Sequence, residues 1–257
     1  MGEPLDLRDK SSVKLLQTFY QAVADDLEML ALLHVKEPDC KILEALRDCN
    51  FPYSMGLKLV TQEGINAIDL MGRVVESLPD RFDDDFLDLL AADYADIYLN
   101  HSLQASPLES VWLDEEQLTC QESMFQVRTW YEIYGLMVEN WRIRPDDDLV
   151  LQLQFVSHLF SISESEKNLK DAARFMDEHL LRWLGEFSNR VANRCATPYF
   201  AAVGLLTAVY CEELRDLLAI VIDQPRPSRE EIEERMKPNA PKEQVSLCYM
   251  PGMGPAV

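Results

Sequence analysis

Apolar residues recur at three- and four-residue spacings along nearly the whole chain, and this periodicity restricts the fold more than any other feature. Leu15, Leu16, Phe19, Tyr20, Val23, Leu27, Leu30 and Leu33 set the pattern, which is that of one buried helical face. Strictly alternating apolar runs are almost missing, and nine glycines in 257 residues supply few of the turns a sheet needs. The chain is therefore read as all-α. Further helices are expected near 62–78, 83–99, 120–140, 146–162, 166–192 and 198–222. Ser11-Ser12 suits an N-cap, Pro38 a first helical turn, and Asp83-Asp84-Asp85 and Asp146-Asp147-Asp148 suit helix starts, where carboxylates complement the dipole.

Two connections interrupt the pattern. Residues 100–119 form a long loop broken at Ser106-Pro107, and residues 141–146 form a shorter one ending at Pro145. They separate an N-terminal from a C-terminal group of helices. After Asp223 the character changes: residues 224–257 hold six prolines with five basic and five acidic residues. A helical domain over 1–223 and a largely disordered, Pro-rich extension over 224–257 are expected, with a turn or two of helix at Glu230–Met236.

The balance of 45 acidic against 24 basic residues gives a formal net charge of -21. Nucleic-acid phosphate and anionic lipid are bound through Lys/Arg, so this surplus argues against both and favours a cationic partner. Between Glu76 and Glu116, twelve Asp/Glu face Arg81 alone, a net of 1 − 12 = −11. The 13-residue apolar run Tyr199–Cys211 is shorter than the about 20 residues a membrane helix needs, and no membrane insertion is expected. The N-terminus MGEPLDLRDKSS carries no signal-peptide or myristoylation pattern, which points to a cytoplasmic protein. Six scattered cysteines without a CxxC argue against a zinc or iron–sulfur site.

Covalent chemistry finds no home. The four histidines (His34, His101, His158, His179) form no nucleophile pair or HExxH, and neither a GxSxG elbow nor a phosphate-binding glycine loop occurs. No catalytic residue, metal ligand or cofactor is assigned, and the protein is read as a non-enzyme. A helical hydrolase using the aspartate clusters with a divalent metal is the rival from another class.

The segment Asp93–Asp114 joins aromatics and carboxylates. Tyr94, Ile97 and Tyr98 share a helix face at i, i+3 and i+4, and Pro107 precedes Ser110-Val111-Trp112-Leu113-Asp114. Arg144-Pro145-Asp146-Asp147-Asp148-Leu149 follows, then His179-Leu180 with Trp183 and Phe187, then Thr197-Pro198-Tyr199-Phe200. In order and spacing these blocks resemble the TorD/DmsD/NarJ family of chaperones that mature molybdenum-cofactor enzymes, over roughly residues 12–222. The resemblance implies one helical domain whose loops meet at a groove and whose two lobes can exchange between protomers, giving a monomer or a domain-swapped dimer. It implies as partner the catalytic molybdopterin subunit of an oxidoreductase, held by its twin-arginine leader and in its apo form until cofactor insertion is complete. A nitrate-reductase-type assembly chaperone with a cytoplasmic client is the alternative within the family.

The residues expected to bind the leader are Tyr94, Ile97, Tyr98, Pro107, Ser110, Trp112, Asp114, Asp147 and Asp148. Apolar rings beside carboxylates suit two arginines followed by an apolar stretch, since guanidinium pairs with carboxylates and stacks on rings. Each ring alone also suits core packing, and the three aspartates also suit a helix cap. The family's Glu-Pro-x-Asp-His block is altered: Asp147 matches its Asp, Asp148 stands at the His and Arg144 at the acid.

Overall fold

A computed structural model describes residues 10–100, 102–113, 118–163 and 165–237. Helix α1 (Lys10–Val35) lies along α7 (Leu149–Ser161), and α10 (Pro198–Val221) lies against α9 (Leu184–Arg194) and α3 (Gln62–Glu76). Helices from both sides of the 100–119 loop thus share one core, which runs from Val23 to Ile222 in sequence. The remaining helices are α2 (Cys40–Asp48), α4 (Asp84–Tyr94), α5 (Ser110–Leu113), α6 (Glu122–Ile133), α8 (Glu166–Glu178) and α11 (Arg229–Met236). No strand occurs among the described residues; a single bridge joins Leu108 to Asp148.

The apolar stripe of α1 is buried from Val23 onward, whereas Leu15 stands 62% exposed because the first turns project beyond the core. The helix already runs at Lys10, so Ser11-Ser12 lies inside it and does not cap it. Pro38 likewise precedes α2: Asp39 is the cap, accepting from the Ile42 N–H at 3.0 Å. Asp83 caps α4 as its sequence suggests, accepting from Phe86 N at 2.9 Å.

Two long helical expectations prove too long. The stretch 120–140 ends at Ile133, where Gly135 takes a φ of +70°. Gly135 N–H donates to Glu132 O and Leu136 N–H to Tyr131 O, the paired bonds by which a left-handed glycine closes a helix. The stretch 166–192 breaks at His179 into a 3-10 turn, Leu180–Arg182, before α9 begins. Buried His179 there turns toward a carboxylate 70 residues earlier in the chain.

Buried carboxylates tie the connections to the helices. Asp26 accepts from Gly56 N and Leu57 N, each at 2.9 Å, and from the Tyr210 hydroxyl at 3.0 Å. Glu213 accepts from Val60 N at 2.7 Å and from Thr61 N at 3.2 Å. The backbone at Gly64 passes so close that a Cβ there would sit 2.0 Å from Glu213 Oε1. Asp93, at the end of α4, accepts from Ala196 N (3.0 Å), Thr197 N (2.9 Å) and Thr197 Oγ1 (2.5 Å) ahead of α10. Part of the acidic surplus is therefore internal scaffolding: each such carboxylate satisfies donors that burial would otherwise leave unpaired.

Candidate functional site

The aromatic motif begins where α4 loosens into a π-helical turn, Ala95–Leu99. Tyr94 and Tyr98 stack there at 4.7 Å between ring centres, and Ile97 is wholly buried. Tyr94 donates to the carbonyl of Val35, the last residue of α1, at 2.9 Å. Arg144 donates to the same carbonyl at 2.9 Å, setting a cation at the negative end of α1. Arg144, which replaces an acid of the family pattern, thus has a structural task here.

Tyr98 reaches His34 Nδ1 at 2.5 Å, and His34 Nε2 lies 2.9 Å from Thr207 Oγ1. The Thr207 hydroxyl donates to Val203 O at 2.8 Å, so its lone pair accepts from His34 Nε2–H. Donor accounting therefore assigns the neutral Nε2–H tautomer, with Nδ1 accepting from the Tyr98 hydroxyl. Burial holds the His34 pKa down at about 3 and pushes the Tyr98 hydroxyl well up.

The Pro-broken loop and the aspartate block come together. Leu149 N–H donates to Pro107 O at 2.9 Å, Glu109 N–H to Asp147 O at 3.1 Å, and Ser110 N–H to Asp147 Oδ2 at 2.8 Å. The three aspartates of the block point three ways. Asp146 pairs with Arg128 at 2.8 Å, Asp147 holds the Ser110 amide, and Asp148 caps α7 through Val150 N at 2.9 Å. Burial raises the Asp147 carboxyl against the opposing Ser110 bond, and it raises Asp148 to about 6 although Arg144 stands 3.6 Å away. Among the described residues no group of three His, Cys, Asp or Glu side chains is arranged to hold a metal ion.

Buried Glu109 links the site's floor. Its carboxylate lies 2.9 Å from His179 Nδ1 and accepts from Gln152 Nε2 at 2.5 Å. Nothing local in the sequence singles out Glu109, Gln152 or His34; the side chains they meet are 43 to 173 residues away in the chain.

Trp112 is the half-buried member of the set that opens on solvent-accessible space. Its indole N–H donates to Ser106 O at 2.8 Å, and its ring stacks on Trp183. The Arg190 guanidinium covers it at 4.3 Å from the ring centre. The i, i+4 spacing of Glu186 and Arg190 was the available signal for that arginine, whose Nη2 lies 2.7 Å from Glu186. Trp112 and Glu186 border two clefts. One, of about 700 Å³, runs by Gln104, Ser106, Leu118 and Arg190. The other, of about 450 Å³, runs by Leu181, Glu212, Arg226 and Ile232. Asp114 lies outside the described residues, as do Glu115 and Glu116.

Of the nine residues picked from sequence, Tyr94, Ile97, Pro107, Ser110, Asp147 and Asp148 are buried, and Tyr98 and Trp112 are half-buried. The part of the arrangement that borders open clefts is the Trp112 indole with the Glu186 and Glu212 carboxylates. No described helix is long and apolar enough to cross a membrane.

Residues 67–189 match the family described as nitrate reductase delta subunit. A protein from Vibrio cholerae (strain O395) named Chaperone protein TorD is 28% identical over 143 residues, covering 52% of this chain and 64% of the relative. The TorD of Vibrio vulnificus YJ016 is 26% identical over 156 residues, 57% of this chain and 70% of the relative. That of Actinobacillus pleuropneumoniae JL03 is 25% identical over 126 residues, 48% and 61%. The chain therefore spans less than two thirds of the length of the first Vibrio relative. These relatives are named as chaperones, and the family match covers 189 − 67 + 1 = 123 of the 257 residues; to both the chain is similar over about half of its length.

Proposed function

We propose that this protein is a cytoplasmic chaperone dedicated to the catalytic subunit of a molybdopterin-containing oxidoreductase. It binds the client's twin-arginine leader and apo form, keeps the apoenzyme open for cofactor insertion, and delays export until folding is complete. No bond changes; the work is preferential binding of the immature client. The observation that carries this reading is Trp112, a half-buried indole bordering two clefts with carboxylates on their rims. Its ring already carries one guanidinium, that of Arg190, which is the chemistry a leader arginine would use. Buried Pro107, Ser110, Asp147 and Asp148 support it by fixing the loop that presents Trp112, and half-buried Tyr98, beside Tyr94 and Ile97, packs on the same Phe187 ring as Trp112.

The test is calorimetric titration with a synthetic peptide of two arginines followed by an apolar stretch, at low and high salt. Binding should weaken as salt rises while apolar contacts leave a remainder, and it should fall when both arginines become glutamine. Equal affinity for the glutamine peptide would sink the leader reading.

A second reading is favoured by the description of the matched family, the nitrate reductase delta subunit. In it the client remains in the cytoplasm and carries no export leader. Copurification from the native host separates the two, because the bound catalytic subunit either begins with a twin-arginine segment or does not.

A further inference from the structure

The cleft beside Trp112 has one wall that the sequence blocks of the family do not account for. Residues 224–236 return across the molecule after α10 and supply Arg226, Pro227, Arg229, Ile232 and Glu233 to that cleft. The anchor is Arg226, held between two prolines. Its guanidinium bonds the Glu212 carboxylate and the Glu212 carbonyl, and its Nε stands 2.8 Å from Asp216 Oδ1. Ser228 and Glu231 then form a reciprocal capping box that starts α11. Gln126 Nε2 meets the carbonyl of Met236 at 3.4 Å at its far end.

Beyond these polar contacts the segment is lightly held. No residue of α11 is buried, and only Ile232 and Met236 are half-buried. The Arg226 pairs are themselves partly in solvent, with Glu212 at 47% and Asp216 at 64% side-chain exposure. Ion pairs of that kind contribute little and weaken with salt, and a short helix without buried apolar surface opens at low cost.

The carboxylates on this cleft are all engaged by arginines of the chain itself. Glu186 is paired with Arg190, Asp177 with Arg215, Glu233 with Arg229 and Glu212 with Arg226. An incoming guanidinium must displace an internal one. Arg215 is buried and Arg190 belongs to α9, but Arg226 rides on the lightly held segment. Its surroundings also copy the chemistry of the ligand: a cation at the acid rim followed by an apolar side chain, Ile232, toward the cleft.

We propose that residues 224–236 form an autoinhibitory strap, with Arg226 occupying Glu212 at the Trp112 cleft, and Asp216 behind it, until an arginine-bearing client segment displaces it. The proposal rests on the leader-binding reading above and names how that site is regulated.

Two full-length variants test it. Arg226→Gln frees the strap and leaves both carboxylates vacant for a client; Glu212→Gln with Asp216→Asn frees the strap and removes the receptor. Hydrogen exchange of the 229–236 amides reports release, and calorimetry with the arginine-pair peptide reports binding. Exchange should rise in both variants. Peptide affinity should rise about fivefold or more in Arg226→Gln, since removing a competing closed state raises apparent affinity by the reciprocal of the open fraction. It should show no such rise in the double variant. The strap is overturned if exchange at 229–236 is unchanged in Arg226→Gln, or if it rises while affinity stays level or falls. A wild-type protein that binds the peptide as tightly as Arg226→Gln overturns the strap alone. Absence of binding in both proteins overturns the leader reading and takes the strap with it.

Discussion

Asp93 sits one residue before the stacked tyrosines, in the most acidic stretch of the chain, and it distinguishes a scaffolding carboxylate from a receptor. Replacing it with asparagine keeps the volume and removes the charge. The carboxylate accepts three bonds, from Ala196 N, Thr197 N and Thr197 Oγ1. Asparagine offers one oxygen, which can serve Thr197, and its amide nitrogen must then face the Ala196 N–H, donor against donor. Hydrogen bonds to a charged group contribute about 1.5–3 kcal/mol each, and leaving a buried donor unpaired costs about 1–3 kcal/mol. Ala196 is exposed, so water can recover part of its loss. The expected cost of Asp93→Asn is therefore about 2–3 kcal/mol, and of Asp93→Ala about 3–5 kcal/mol. Each kcal/mol in a chain of this size moves the melting temperature by roughly 2–4 °C, so Asp93→Asn should melt roughly 4–12 °C lower. Urea unfolding, with calorimetry as a check, measures the difference. Folded Asp93→Asn protein should bind an arginine-pair peptide like the wild type. A variant as stable as the wild type that has lost peptide binding would refute the scaffolding argument and make Asp93 a client contact.

Other residues give equally distinct outcomes. Tyr98→Phe leaves buried His34 Nδ1 without its donor and should cost about 1–3 kcal/mol in urea unfolding while peptide titration is unchanged. Trp112→Ala should lower peptide affinity by about 2 kcal/mol or more if the ring is a hot spot, with a stability loss below the about 3–5 kcal/mol of a fully buried ring; early melting with normal binding would make it purely structural. Gly64→Ala drives a methyl to 2.0 Å from Glu213 Oε1 and should destabilise by about 2–4 kcal/mol, which thermal melts will detect. His34 and Asp148 act in opposite senses with pH. His34, held down at about 3, contributes stability that is lost as pH falls below about 6.5. Asp148, raised to about 6, contributes stability that is present at low pH and lost as pH rises through about 6. Asp148→Asn keeps the cap but loses that compensation, so its stability should fall more steeply than wild type between pH 6 and pH 4; parallel curves would refute this.

What the sequence made legible was local. Asp83 and Asp148 read as caps because their partners lie two or three residues on, and the helical class follows from a periodicity that needs no tertiary contact. The end of α6 was signalled by Gly135, the glycine its closing bonds require, but the apolar periodicity carried the expected helix past it to 140. The break at His179 was not, because the side chain that makes use of it, Glu109, comes from another part of the fold. The aspartate block shows the same limit. Its three members look alike in sequence, yet Arg128, Ser110 and Val150 draw them apart. The acidic surplus beside the aromatics, read as a receptor for a cation, contains Asp93 and Glu109, whose bonds are all internal in this structure.

The carboxylate clamps have a consequence for how such a protein can change over time. Asp26, Asp93, Asp147 and Glu213 mostly grip main-chain amides, and an amide is supplied by every residue except proline. The gripped segments can therefore exchange most of their side chains while the clamp continues to hold. The burden of inheritance falls instead on four acids and on the few places, such as Gly64, where the backbone passes too close for a Cβ. A fold fastened in this way can drift far in its connections, and change what those connections offer to a partner, without loosening the helices beneath.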